Sequence, residues 1–103
     1  MKDTVYTERG AIDPLLQGKT VLVKGIGNSM TPILKSGQVV LVEPIYTLEG
    51  LHKGDIVLTK VKGHVYLHKI TGIRKDRVQI SNNHGRVNGW TSLVYGKVVK
   101  KYE

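Results

Sequence analysis

The sequence predicts a mostly β fold, a partly open, strongly twisted β-barrel or sheet. Short runs rich in Val, Ile and Leu recur along the chain, and clusters of Gly, Asp and Asn separate them. Helical periodicity is nearly absent. Regularly spaced β-branched runs with turn residues between them are the pattern of an all-β sheet or barrel.

Residues 1–18 carry no clear period and are expected to form a flexible N-terminal segment. Within it "AIDPLLQG" could make a short helix, kept brief by Pro14 and Gly18. Residues 19–103 are expected to be a single β-rich domain. Its first strand is "KTVLVKGI", Lys19 to Ile26, and "QVVLVEP", Gln38 to Pro44, follows the turn Ser36-Gly37. "GDIVLTKV" opens at Gly54-Asp55, and "VKGHV" turns it tightly around Lys62-Gly63 into "HVYLHKITGI". "DRVQISN" and "LVYGKVVKKY" complete the set. Between the first two strands, Ser29-Met30-Thr31-Pro32 can start one helical turn, with Pro32 preset for a first helical position and Gly37 ending it.

Composition limits the classes of function. A chain of 103 residues with no Phe and one Trp must fill its core with Val, Ile and Leu. There is no Cys, which excludes disulfides and thiolate metal sites and fits a reducing compartment. The spacing of His52, His64, His68 and His84 does not suggest a metal site, and no cofactor is expected. The net charge of +8 favours acidic or phosphate-bearing partners at long range, but it is dispersed. A solvated basic surface and a nucleic-acid face therefore both stay open. Trp90, near Arg86 and Lys97, is open to two readings as well, a core cap or an exposed stacking surface. No apolar run is long enough for a membrane span, and "MKDTVYTERG" has no signal-peptide h-region. A cytoplasmic protein without a membrane anchor is expected.

Two positions could carry chemistry. Ser29 lies where a strand gives way to a glycine-rich turn, "GIGNSMTP". Such a turn exposes a hydroxyl and aims nearby backbone N–H groups at a developing oxyanion. A serine after Gly and Asn is also an ordinary turn residue or helix cap. His68 stands in "VYLHKI", where alternation puts Tyr66, His68 and Ile70 on one face and Val65, Leu67 and Lys69 on the other. A neutral imidazole there is either a satisfied core group or a general base facing a cleft.

The order of these pieces, "GNSMTPILKSGQVVLVEP" and then "KGDIVLTKVKGHVYLHKI", resembles the serine-peptidase clan of LexA-type repressor self-cleavage domains and signal peptidases. The resemblance implies that clan's catalytic-domain fold, in a small stand-alone member of the kind found in phage genomes. It implies Ser29 as nucleophile, with its backbone N–H in the oxyanion position and Asn28 and Met30 beside it. Histidine stands at position 68, where the bacterial and repressor branches carry lysine, which is similar to the branch typified by the signal peptidase of the endoplasmic reticulum. That branch adds an aspartate after the next strand. Here the stretch is "ISNNHGRVNGW", so Asn82 or Asn83 is expected to hold the imidazole. Asp55 is assigned to its turn. A substrate groove along Met30, Pro32 and Tyr66 would take an extended polypeptide or the chain's own N-terminal segment. The expected function is peptide-bond hydrolysis or self-cleavage by a Ser-His dyad. The alternative is a weak or inactive member that binds peptide or nucleic acid.

Overall fold

The computed structural model describes residues 4–103. Strands β1 (Val5–Tyr6), β2 (Val21–Lys24), β3 (Val39–Pro44), β4 (Ile56–Val61), β5 (His64–Ile73), β6 (Val78–Ser81), β7 (Val87–Thr91) and β8 (Val94–Tyr102) form one sheet. The spatial order is β1-β2-β3-β8-β4-β5-β6-β7. β1 and β7 are the two ends and do not pair, so the sheet curls without closing. β1 runs parallel to β2, and every other neighbouring pair is antiparallel. Among the described residues no helix is long and apolar enough to cross a membrane.

The register shifts in four strand pairs, and these shifts accompany the curl. β8 is offset against β3 and β4, β6 against β5, and β7 against β6. Each leaves an extra residue on one strand, which bends that strand and increases its twist. The curl makes two apolar clusters instead of one flat face. The first joins Val23, Val40, Val42, Leu58 and Leu67. The second joins Val57, Val61, Ile70, Val78 and Ile80. Alternation along β4 and β5 explains the division. Val57 and Val61 face one cluster while Leu58 faces the other, and Leu67 and Ile70 divide likewise.

The N-terminal segment departs from expectation. Residues 1–3 lie outside the described residues, but from Val5 onward the segment is part of the domain rather than a flexible extension. Tyr6 pairs with Val23 in the sheet. A 3₁₀ turn, Arg9–Ala11, then runs into helix α1, Ile12–Leu16. Ala11 and Leu15 are four residues apart and so share one face of that helix. They are 0% and 1% exposed in the first cluster. α1 packs over β8 at Gly96, where an added Cβ would lie 2.6 Å from Val42 Cγ1 and 3.1 Å from Leu15 Cδ2. The apolar signal here is short and interrupted by Pro14, so no period shows in the sequence. The stretch "RVNGWTS" also forms a strand, β7, that the spacing of apolar runs does not reveal.

Leu15→Ala is expected to lower the stability of the whole domain by about 2–5 kcal/mol, the usual cost of truncating a fully buried leucine. Urea unfolding measures it. A change below about 0.5 kcal/mol would mean that the helix is an appendage.

Candidate active site

The turn after β2 holds Ser29 by its neighbour. Met30 is 4% exposed and belongs to the first core cluster. One i→i+4 turn, with Leu34 N–H donating to Met30 O at 2.9 Å, follows it; the stretch forms a turn and not the helical turn expected with Pro32 at its start. On β5, Leu67 is anchored in the same cluster and His68 follows it. Hydroxyl and imidazole are therefore each one residue from an anchor in a common core.

Their side chains meet. Ser29 Oγ lies 2.9 Å from His68 Nε2. The other ring nitrogen, Nδ1, lies 2.7 Å from Asn88 Oδ1. An amide oxygen only accepts, so Nδ1 carries the proton and donates to it. That tautomer leaves a lone pair on Nε2 to accept the Ser29 hydroxyl proton. Burial pushes the His68 pKa below its ordinary value, and the bond to Asn88 partly opposes the shift. Tyr66 stacks on the imidazole, with ring centroids 4.7 Å apart.

Asn88 holds the ring where Asn82 or Asn83 was expected to. The cause is the β6–β7 register. Ile80 pairs with Gly89 and Ser81 with Val87, so Asn88 is an extra residue opposite no partner. A bulge of this kind re-aims a side chain. Gly89, at φ 140°, supplies backbone that an L side chain rarely adopts. A lone glycine inside a strand pattern is the one sequence signal that marks such a bulge.

Asn82 and Asn83 act on backbone instead. Asn82 Oδ1 accepts from His84 N–H at 2.8 Å and Arg86 N–H at 2.9 Å, closing its own turn. Asn83 ties that turn to the Ser29 turn. Its N–H donates to Ser29 O at 2.8 Å and its Nδ2 to Thr31 O at 2.9 Å, while Lys69 Nζ donates to its Oδ1 at 2.9 Å. His84 Nε2 adds a bond to Asn28 O at 2.9 Å. Asn28 thus contributes its carbonyl, which also accepts from Thr31 N–H at 3.2 Å. Among the described residues no group accepts from the N–H of Ser29 or Met30, which leaves both amides free.

Ser29, Tyr66, His68 and Asn88 line a cleft of about 350 Å³ together with Glu8, Ile26, Asn82 and Arg86. Beneath Ser29 a pocket of only about 20 Å³ reaches Met30, Leu34 and Leu67. One wall of the cleft is strand edge. β6 pairs with β5 only over Lys69–Ile73, so the half of β5 before Lys69 has no partner on that side. Pro32, expected in the substrate groove, is placed elsewhere. Met30 turns into the core, which sends Pro32 outward to a separate groove of about 630 Å³ with Lys35 and Lys101. Asp55 serves its turn, accepting from His52 N–H at 2.8 Å and pairing with Lys97 at 3.4 Å. Trp90 is partly exposed, with the Arg74 guanidinium 4.1 Å from its ring centroid.

An open, curled β-sheet with a serine on the turn after its second strand and an imidazole at its edge defines a peptidase-like class of domain. The Peptidase S24-like family model matches residues 4–88, and the chain belongs to that family. The match includes the N-terminal strand and helix, and it ends at the bulged asparagine. A comparison with curated proteins finds no match.

Asn88→Asp is expected to raise the His68 pKa, because a carboxylate beside the ring favours the imidazolium. NMR titration of the His68 ring protons measures it: wild type should titrate below 6.5 and the variant higher. An unchanged midpoint would place Asn88 out of contact with the ring in solution.

Proposed function

We propose that the protein is a serine peptidase that hydrolyses peptide bonds through a Ser29–His68 dyad oriented by Asn88. The single observation that carries this reading is the hydrogen bond of 2.9 Å between Ser29 Oγ and His68 Nε2, made inside an open cleft. A histidine placed only to fill the core would not hold a hydroxyl at the mouth of a groove.

The chemistry follows from the contacts. Ser29 Oγ attacks the scissile carbonyl carbon as its proton passes to His68 Nε2. The carbonyl oxygen becomes an oxyanion beside the free N–H groups of Ser29 and Met30; the bond from Asn83 N–H to Ser29 O fixes the peptide plane that carries the Met30 N–H, and the bond from His84 to Asn28 O fixes the plane that carries the Ser29 N–H. The imidazolium then gives its proton to the leaving amine, and the C–N bond breaks. Water deprotonated by His68 releases the acyl group from Ser29 and restores the hydroxyl. Asn88 holds the ring in the productive tautomer throughout. It carries no charge and so does not stabilise the imidazolium as a carboxylate does. An extended polypeptide would pair with the free edge of β5 and present its carbonyl to Ser29.

Ser29→Ala and His68→Ala should each abolish cleavage of a peptide library and labelling by a fluorophosphonate probe, with losses of at least about 1,000-fold. Wild-type protein that neither cleaves nor labels would refute the reading. Activity should also fall on acidification through the His68 pKa, since the base works only when neutral. The half-point should lie below pH 6.5, because burial lowers that pKa. Asn83→Ala should cut the labelling rate about 100-fold, as expected when a reacting group is misplaced by an ångström. The pH half-point should not move, because Asn83 does not touch the ring.

The neutral orienting residue and the net charge of +8 favour a second reading, a binding module on the same fold. Salt titration separates the ligands. Affinity for nucleic acid would drop steeply with salt, and affinity for a peptide in the groove would not.

A further inference from the structure

The cleft holds two charged side chains that the dyad does not use, Glu8 and Arg86, and Glu8 is the acid. Glu8 follows β1 and reaches the rim beside Ile26. Its carboxylate is close to the strand that leads to the nucleophile: a Cβ added to Gly25 would lie 3.7 Å from Glu8 Oε2. Glu8 also borders the small pocket under Ser29.

Its surroundings are unusual for this chain. Basic residues outnumber acidic ones 16 to 8. Among the described residues only Glu8 and Asp55 are acids that are not fully exposed. Asp55 has Lys97 at 3.4 Å, whereas no described cation comes within 4.0 Å of Glu8. Arg86, which also lines the cleft, is exposed and makes no ion pair with it. Burial pushes the Glu8 carboxyl up, offset in part by the backbone amide of Ile26. A partly desolvated carboxylate without a counter-ion is costly, and a cation brought by a ligand would offset that cost in a site where water screens it poorly.

We propose that Glu8 selects peptides carrying a lysine or arginine side chain within about two residues of the scissile bond. The inference rests on the peptidase reading of the same cleft. Glu8 comes from the N-terminal segment, so that segment supplies a wall of the substrate site as well as part of the core. Arg86 also lines the cleft and carries the other sign, which disfavours a second cation beside it. The overall charge of the protein repels cationic peptides, so a preference for them would have to be local to the cleft.

Two measurements on the full chain test this. The first compares kcat/KM for peptides identical except for lysine, norleucine or glutamate at each position near the cut. Wild type should favour lysine over norleucine at one position by about tenfold, the worth of a charge-assisted contact. Glu8→Gln should bring that ratio near one, and Glu8→Lys should shift the preference to glutamate. A ratio that Glu8→Gln leaves within twofold of wild type overturns the inference while leaving the peptidase reading intact. The second measures binding of the same fluorescent peptides to Ser29→Ala protein by anisotropy. If no peptide is cleaved by wild type, the catalytic reading fails. A Glu8-dependent lysine preference in binding would then still support the cleft assignment, and its absence would overturn it. Urea unfolding of both Glu8 variants confirms that they remain folded.

Discussion

The site exists because β6 stops short. It covers β5 from Lys69 onward and leaves the first half of that strand with a bare edge. An uncovered edge in a β protein is a hazard, since its N–H and C=O groups will pair with any extended chain. Here the turn that carries Ser29 abuts the end of that edge, and Asn83, just past the end of β6, fastens to it through Ser29 O and Thr31 O. The gap left by the missing half-strand becomes the cleft, and the segment that ends the pairing becomes the clamp on the serine. Lengthening β6 by two residue pairs would pair the edge at His68 and remove the opening.

Bulges do the remaining placement. A regular β7 would send residue 88 along the pleat in step with its partners. The extra residue between Val87 and Gly89 breaks that alternation and brings an amide oxygen to 2.7 Å from the imidazole. The same sheet needs its other register shifts to curl far enough for α1 to seat Leu15 among Val42 and Leu58. Curvature that builds the core and curvature that aims the site come from one device.

What the sequence reveals here follows from range. Ser29, His68 and Tyr66 are readable because each depends on a few adjacent residues: glycines before a serine, or an alternating strand around a histidine. The strands β2 to β6 are readable for the same reason. Asn88 is not, because its role depends on a one-residue offset between two strands, and Asn82 and Asn83 stand nearer in sequence to the expected position. Glycine 89 in mid-strand is the only local trace. The N-terminal segment is hidden for another reason. Its contribution comes from Ala11 and Leu15 on a single helical turn, too short for a period to show. Pro32 misleads because the turn reverses direction at Met30, which a linear reading places beside the serine without saying which way it faces.

The neutral orienting residue and the buried imidazole belong together. Burial disfavours the imidazolium and a carboxylate partner would favour it, so a base that is buried and also paired with an acid would titrate near its ordinary value. With Asn88 the burial effect prevails, and the His68 pKa lies below its ordinary value. The gain is a larger fraction of molecules with a free lone pair at Nε2. The cost is a weaker base and an imidazolium that receives little help once formed. On the peptidase reading, such a site would lean on what does not depend on the charge of the ring: the fixed serine, the amides of residues 29 and 30, and the hold of the cleft on an extended chain. On that reading the burden of rate would fall on positioning, and Met30, Leu67 and Asn83 are the residues that fix the serine and the imidazole.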